Sequence, residues 1–387
     1  MAPHAEDGHV PATFATTSEI AVNGHVGKNP QGKGKEVLDH DQSKKPLELK
    51  GVLEDFEYFD VTPVIGREFK DVDVVAWLNS PNSDELIRDL AITISQRGVV
   101  FFRAQDNLTD DIQKQLIQRL GELSGKPSTS GLHVHPVSNS GREQGTKDDE
   151  ISVISSLSAK KIYKGSALDP RTKSQSGKGQ WHSDITFEPV PSDYTALRLT
   201  ELPKTGGDTL WASGYEVFDR ISPPYQKFLE SLTATYAQPL FNKAAEDNDF
   251  KLYTAPRGSP HNVGDNLEAT HPVIRTNPVT GWKSVFAVGH HVQKVNDLAP
   301  DESKALLEWF TRLIVENHDL QVRNRWQNPN DLAIWDNRSV YHAATPDYDG
   351  LGERKGHRAV GLGERPYFDP KSKSRREALA EGVGEKL

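Results

Sequence analysis

The sequence predicts a mainly β fold with flanking helices, built on a double-stranded β-helix (jelly-roll) core. Many short alternating or apolar stretches are separated by turn residues and by a few helical segments. The segments follow no strict strand–helix–strand rhythm, and no part of the chain repeats another. Short strands without the rhythm of a parallel sheet favour two antiparallel sheets packed into a barrel.

Composition divides the chain into three segments. Residues 1–47 are rich in Gly, Lys, Asp and Ser and poor in large apolar groups, so we expect a disordered tail that cannot offset its ordering entropy. Residues 48–370 have the composition of a folded domain. Residues 371–387 are charged and predict a C-terminal tail or helix.

Helices are predicted where apolar residues recur at helical spacing. Ser83 can cap one helix that runs to Gly98, a residue type that favours the conformation found just beyond a helix. A second begins after Thr109, with acidic residues in its first turn. A third spans Asp301–Asn317, and a shorter one lies around Pro224–Leu232.

Strands are predicted from short apolar or alternating runs. Val99–Phe102 is expected to be buried, and 195–199 to be half-exposed because it alternates. Residues 157–179, rich in Lys and Gly, are expected to form a mobile flap beside a strand at Trp181–Phe187. The other predicted strands are 131–137, 151–154, 209–211, 272–275, 284–288, 331–335 and 358–362, and 240–270 is an insertion between strands.

Composition also excludes several kinds of chemistry. The chain has no Cys, so any metal must be held by His, carboxylate or water. A net charge of -9 argues against broad binding of nucleic acid or anionic membranes. No apolar run approaches the roughly 20 residues of a membrane span. Neither terminus carries a secretory or peroxisomal signal, so we expect a cytoplasmic protein.

Trp181–Phe187 carries a candidate metal site. On a strand, the side chains of His182 and Asp184 would point the same way, because strand side chains alternate. His342, far along the chain, is the best candidate for a third ligand. Two His and one carboxylate form the facial triad of non-haem Fe(II) oxygenases, which leaves positions open. By itself, a His-x-Asp pair is more often a surface carboxylate beside a hydrogen-bonded histidine.

An ordered set of motifs makes this pattern much more specific. Together the motifs resemble the taurine dioxygenase family of Fe(II)- and 2-oxoglutarate-dependent oxygenases, which includes fungal sulfonate dioxygenases and alkylsulfatases. The resemblance covers roughly residues 55–370. The motifs are Leu132-His133-Val134-His135-Pro136, Trp181–Phe187, Gly206–Trp211, Trp335–Arg338 with His342, and Asp347-Tyr348 with Arg354 and Arg358.

The resemblance implies a catalytic Fe(II) held by His182, Asp184 and His342. In the family, 2-oxoglutarate chelates the metal, and its distal carboxylate meets a Thr hydroxyl and an Arg. Those two residues match Thr209 and Arg354 here, and a guanidinium can grip a carboxylate with two parallel bonds. Molecular oxygen is the remaining cosubstrate.

The resemblance also implies a small anionic organic substrate. Arg358 and His135 match positions that hold the sulfonate in taurine dioxygenase, and together they would form a cationic pocket. Without the resemblance, His135 is a histidine bonded within a strand and Arg358 a strand-edge ion pair. The expected reaction hydroxylates an alkyl sulfonate such as taurine, releasing sulfite and an aldehyde together with succinate and CO2.

Departures from the family leave the substrate open. Ser138 stands where taurine dioxygenase has a Tyr, and a usual Phe-Val-Asn-x-x-Phe stretch is replaced by Phe286–His291. Of His290 and His291, we expect one to line the pocket and one to pack elsewhere, because adjacent strand residues face opposite ways. A sulfate ester, carboxylate or amino acid substrate stays open, as do a hydrolytic zinc enzyme and a non-catalytic metal-binding scaffold. Family members often form dimers or tetramers, which implies a homo-oligomer.

Overall fold

A computed structural model of the 387-residue chain describes residues 45–139, 148–157 and 177–382. The predicted tail up to residue 44 and the predicted flap from 158 to 176 lie outside the described residues. Leu47 already belongs to the folded body, since its backbone N–H donates to the carbonyl of Val279 at 2.8 Å. Among the described residues, no helix is long and apolar enough to cross a bilayer.

Short strands and helices alternate irregularly along the described chain. The strands are β1 (Tyr58–Asp60), β2 (Arg67–Phe69), β3 (Val99–Phe102), β4 (Ile151–Ser155), β5 (Ser192–Glu201), β6 (Thr209–Ser213), β7 (Thr233–Ala237), β8 (Glu268–Pro272), β9 (Ile274–Thr276), β10 (Lys283–Val285), β11 (Val292–Val295), β12 (Gln321–Asn324), β13 (Asp331–Asp336), β14 (Val340–Ala344) and β15 (Lys355–Leu362). The helices are α1 (Val74–Asn79), α2 (Ser83–Arg97), α3 (Asp110–Leu123), α4 (Gly214–Asp219), α5 (Pro223–Leu229), α6 (Pro239–Asp247), α7 (Pro300–Val315) and α8 (Arg375–Ala380).

A seven-stranded sheet in the order β1-β2-β3-β13-β5-β15-β4 forms the main wall of the described fold. Its pairs are antiparallel except β2 with β3. Smaller antiparallel sheets, β12-β6-β14, β11-β7-β8 and β10-β9, complete the architecture. This confirms the mainly β class with flanking helices, and the predicted jelly-roll core is consistent with it.

The predicted helices follow from local signals and are confirmed. The α2 helix begins with Ser83 itself, so the cap position is Asn82 and not Ser83 as predicted. It ends at Gly98, whose φ of 76° lies in the left-handed region. The α3 helix begins after Thr109, whose hydroxyl accepts from the N–H of Ile112 at 3.3 Å. Both helices pack their apolar faces on the large sheet, where Leu90 and Leu116 belong to one buried cluster. The charged C-terminal segment contains α8.

Two strand predictions are wrong in informative ways. Residues 131–137 form no strand, and only Leu132 makes a bridge, to Gly361. Residues 195–199 are not half-exposed, because β5 lies between β13 and β15 and is buried on both faces. Two polar residues of β5 have partners from other segments: Thr195 bonds buried Asp184, and Arg198 bonds half-buried Asp110.

Candidate active site

Trp181–Phe187 is not a strand, so that prediction is wrong. Only His182 pairs, in an isolated antiparallel bridge with His342, through N–H···O bonds of 3.1 and 2.8 Å. The chain then turns, and Ile185 takes a left-handed conformation with φ of 47°, which strains a β-branched residue. A bridge followed by a turn, rather than strand alternation, therefore brings His182 and Asp184 together.

The three predicted metal ligands meet at one point. One ligand atom from each of His182, Asp184 and His342 lies within 4.8 Å of the others. Nε2 of His342 is 3.9 Å from Oδ1 of Asp184. Nδ1 of His182 lies 2.8 Å from the carbonyl of Gln180, which can only accept, so Nε2 of that ring is left for a metal. This donor set fits a divalent ion such as Fe(II).

Electrostatics set the protonation states that such an ion requires. Burial lowers the pKa of His182 and of His342 to about 4, so both rings are neutral near pH 7. Burial alone would raise the pKa of Asp184, but the charge of Arg358 and, at the low pH where they are protonated, the charges of the neighbouring rings lower it to about 2. Because metals bind neutral imidazole and ionised carboxylate, the site is prepared for loading.

Asn337 is a positioning residue that the sequence reasoning missed. Its Oδ1 accepts from the backbone N–H of Asp184 at 3.0 Å, and its Nδ2 donates to the hydroxyl of Thr195 at 2.8 Å. Thr195 in turn donates to Oδ2 of Asp184 at 3.2 Å. With Oδ2 held in this way, Oδ1 is the oxygen nearer His342 and suits ligation through one oxygen. The signal was the position of Asn337 in the Trp335–Arg338 motif.

His290 and His291 both lie beside His182. Their ring centroids are 4.9 and 6.2 Å from that of His182. Gly289 permits this approach, because a Cβ there would come within 2.8 Å of the Cα of His182. His291 is buried with Nδ1 3.0 Å from the hydroxyl of Thr186, whereas His290 is exposed. The two residues lie in a turn before β11, and their ring centroids are 4.3 Å apart. The expectation that they face opposite ways, with one packing elsewhere, is therefore wrong, although their exposure differs.

Thr209 and Arg354 also lie together, as expected for a cosubstrate clamp. Nη2 of Arg354 donates to Oγ1 of Thr209 at 3.2 Å, and its Nε donates to the carbonyl of Gly207 at 2.8 Å. Arg354 is only 4% exposed and makes no ion pair with a carboxylate among the described residues. Burial lowers its pKa. A buried guanidinium with only neutral acceptors is suited to an anionic ligand.

The two residues predicted to bind substrate have different surroundings. Nη1 of Arg358 donates to Oδ1 of Asp184 at 2.7 Å, whereas its Nε is buried without a hydrogen-bond partner in the described part of the chain. Nδ1 of His135 accepts the backbone N–H groups of Val137 and Ser138 at 3.0 Å each. Arg358 therefore adjoins the candidate metal ligands, and His135 is bonded within its own loop, with Nε2 carrying the proton of the neutral ring.

A buried charge cluster fixes the turn that follows Asp184. Glu188 is fully buried, and its carboxylate accepts hydrogen bonds from Nε and Nη2 of Arg257 at 2.5 and 2.8 Å. Nε2 of His133 lies 3.1 Å from the same carboxylate. Arg257 belongs to the predicted insertion at 240–270, so this insertion supports the site. No local sequence signal indicated the contact.

Acid is expected to destabilise the metal-free protein partly through buried His271. Its Nε2–H lies 3.0 and 3.1 Å from the carbonyls of Thr186 and Glu188, and burial together with the charge of Arg275 lowers its pKa to about 3. Because the folded pKa lies below the usual value near 6.5, the unfolded chain binds the proton first. The stability that neutral His271 contributes is therefore fully present above about pH 6.5 and is lost as the pH falls toward 3.

Urea unfolding between pH 7 and 5 measures this loss. The His271→Gln variant should show a shallower pH slope, by up to about 1.4 kcal/mol per pH unit. The matched control His318→Gln, at an exposed position, should keep the slope of the parent. Equal slopes for the parent and His271→Gln would show that this ring does not link stability to pH.

Two imidazoles and one carboxylate beside a buried anion clamp are the arrangement expected of an iron- and 2-oxoglutarate-dependent oxygenase. Comparison with known proteins identifies the family. Residues 57–360 match the family described as "Taurine catabolism dioxygenase TauD, TfdA family", and the chain belongs to it.

Curated relatives agree with this assignment. The chain is 57% identical over 342 residues to "Alpha-ketoglutarate-dependent dioxygenase btcD" of Neocamarosporium betae, which covers 87% of this chain and 98% of the relative. It is 47% identical over 374 residues to "Alpha-ketoglutarate-dependent dioxygenase esdpJ" of Penicillium shearii, covering 89% and 99%. An "Alpha-ketoglutarate-dependent sulfonate dioxygenase" of Saccharomyces cerevisiae is 31% identical over 311 residues, covering 80% and 68%.

Among solved structures, the "Crystal Structure of a Taurine Dioxygenase from Burkholderia xenovorans" aligns with a TM-score of 0.59 at 23% identity, over 82% of this chain and 92% of that one. This likeness supports the fold. The family match and the relatives confirm the family predicted from the motifs, and the chain is a 2-oxoglutarate (alpha-ketoglutarate)-dependent dioxygenase, an oxidoreductase. The zinc hydrolase and the non-catalytic scaffold are therefore set aside.

Proposed function

We propose that this dioxygenase hydroxylates a small anionic substrate, with an alkyl sulfonate such as taurine as the first candidate. The observation that carries the proposal is Arg358, whose buried Nε lacks a partner in the described chain while its Nη1 touches Asp184. An oxyanion is the group that best satisfies a buried guanidinium donor. The sulfonate in the name of the yeast relative supports the candidate, whereas the names of the two relatives nearer in sequence specify no substrate.

Each candidate residue has a distinct role in this proposal. Fe(II), which supplies the oxygen activation and hydrogen abstraction when bound, would be held by His182, Asp184 and His342. Thr209 and Arg354 would bind the distal carboxylate of 2-oxoglutarate and so fix its orientation. The anionic group of the substrate would be held by Arg358 and His135, which thereby place the adjacent carbon for reaction.

Products follow from the substrate class. The cosubstrate would be converted to succinate and CO2. Hydroxylation at a carbon bearing a sulfonate gives an adduct that releases sulfite and an aldehyde, and a sulfate ester would release sulfate in the same way. The predicted dimer or tetramer and the predicted cytoplasmic location stay predictions.

A substrate panel tests the anionic preference. Succinate is measured with Fe(II), 2-oxoglutarate and oxygen in the presence of taurine, hexanesulfonate, hexyl sulfate, hexanoate, an amino acid or neutral hexanol. We expect one anionic class to stimulate turnover most. Arg358→Gln should raise the KM for that substrate roughly 10- to 100-fold, because a charge-assisted contact is lost, and should leave the KM for the cosubstrate within about twofold.

Two further measurements keep this test specific. Because Arg358 touches Asp184, Mn(II) affinity is measured in parallel to separate substrate binding from metal binding. Arg312→Gln, at an exposed position of α7, is the matched control and should behave as the parent. Preference for hexanol, or an unchanged substrate KM in Arg358→Gln, would contradict the proposal.

A further inference from the structure

Trp326 shares the hydroxyl of Thr209 with the clamp arginine. Nε1–H of Trp326 donates to Oγ1 of Thr209 at 3.1 Å, and Nη2 of Arg354 donates to the same oxygen at 3.2 Å. A hydroxyl has two acceptor lone pairs and one hydrogen. With both lone pairs taken, Thr209 has only its hydrogen left to offer.

The clamp then presents donors alone. A guanidinium has no acceptor, and Nε of Arg354 is already bonded to Gly207. A carboxylate only accepts and matches this surface. A carboxamide would turn its NH2 group toward another donor, and such an unmatched buried polar group is strongly disfavoured.

We propose that Trp326 is a positioning residue that makes Thr209 a hydrogen-bond donor to the distal carboxylate of 2-oxoglutarate. It thereby sets the preference for a dicarboxylate cosubstrate. Trp326 acts through Thr209 and does not touch the reacting atoms. The inference rests on the proposed function, in which Thr209 and Arg354 form the clamp.

The indole also forms part of the wall behind the clamp. Trp326 is 7% exposed, packs in one apolar cluster with Trp211 and Trp335, and lines a surface cavity next to Gly206–Asp208. A Phe at this position keeps an apolar ring in the wall and removes only the N–H. Trp326→Phe therefore separates hydrogen bonding from packing.

Calorimetric titration of the Mn(II)-loaded full chain gives a readout that does not depend on turnover. The probes are N-oxalylglycine and N-oxalylglycinamide, two analogues of 2-oxoglutarate that end in a carboxylate and a carboxamide. The parent should prefer the acid. In Trp326→Phe, acid binding should weaken roughly three- to tenfold, while the amide binds equally or more tightly, since Thr209 regains an acceptor.

A matched control is available in the same chain. Trp282 is buried, and its Nε1 has no partner among the described residues, so Trp282→Phe should leave both affinities unchanged. In turnover assays, Trp326→Phe should raise the KM for the cosubstrate by the same factor as its acid affinity falls, with kcat within about twofold. Thermal unfolding checks that both variants are folded.

Double substitution distinguishes the inference from the clamp assignment. Adding Trp326→Phe to Thr209→Val should cause no further loss, because the hydroxyl that Trp326 orients is gone. Equal weakening of acid and amide in Trp326→Phe, or losses that add to those of Thr209→Val, would overturn the role of Trp326. Unchanged acid affinity in Thr209→Val would instead remove the proposed clamp itself.

Discussion

Substituting His342→Ala or Asp184→Asn is expected to abolish 2-oxoglutarate-dependent succinate formation. Each change removes one of three ligand atoms that lie within 4.8 Å of one another. Loss of groups that only orient metal ligands typically lowers metal affinity or activity 10- to 100-fold, so loss of a ligand should cost at least about 100-fold. Succinate turnover and calorimetric Mn(II) affinity should fall together.

Controls separate metal loss from unfolding. Asp184→Asn keeps the size of the side chain and one acceptor oxygen, for either Thr195 or Arg358, so the variant should stay folded, which thermal unfolding checks. His318→Ala removes an exposed imidazole and should change neither turnover nor Mn(II) affinity. A His342→Ala protein that keeps both within tenfold of the parent would remove His342 from the metal centre.

Sequence motifs selected three candidate ligands that the structure brings together, although the strand geometry expected for two of them was wrong. The expected strand at Trp181–Phe187 is a bridge and a turn, and His182 is placed by pairing with His342. Pairing partners between distant segments are not encoded in local periodicity. The prediction that His182, Asp184 and His342 form one site came instead from the order of the motifs along the chain, which resembles that of the family.

Local signals predicted helices better than they predicted burial. Thr109 and Gly98 mark helix ends through their own side chain or backbone, so the sequence near them is sufficient. Residues 195–199 looked half-exposed because Thr195 and Arg198 are polar. In the structure both are buried beside partners from other segments, Asp184 and Asp110. The alternation of polar and apolar residues in β5 therefore does not indicate exposure, because both faces of the strand are buried.

Charged residues far apart in sequence were the least predictable part of the site. Nothing in the sequence near Glu188 or Arg257 led to a prediction, yet both are buried and bonded to one another through two nitrogens of the guanidinium. A buried ion pair is stable only when both partners are present with good geometry. Such a pair can therefore be recognised only in the tertiary structure, because the sequence does not show which distant charges meet.

Arg354→Met is expected to raise the KM for the cosubstrate, 2-oxoglutarate, on the order of 100-fold. The change removes a buried guanidinium that has neutral acceptors, Thr209 and Gly207, and no carboxylate partner among the described residues. Truncating one side of a buried charged contact costs 2–5 kcal/mol or so, and about 2.7 kcal/mol corresponds to 100-fold. Affinity of the Mn(II)-loaded protein for 2-oxoglutarate measures the same loss without turnover.

In the absence of 2-oxoglutarate, Arg354→Met should be at least as stable as the parent, although it binds the cosubstrate more weakly. Met fills a similar apolar volume without burying an uncompensated charge, so Arg354→Met should unfold at the same temperature as the cosubstrate-free parent or at a higher one. Added 2-oxoglutarate should then stabilise the parent but not the variant. Arg354→Lys, which keeps a charge without the planar fork, should fall between the two. A cosubstrate KM within threefold of the parent would contradict the clamp. Weaker cosubstrate binding with undiminished stability would indicate that the charge of Arg354 is buried to bind an anion.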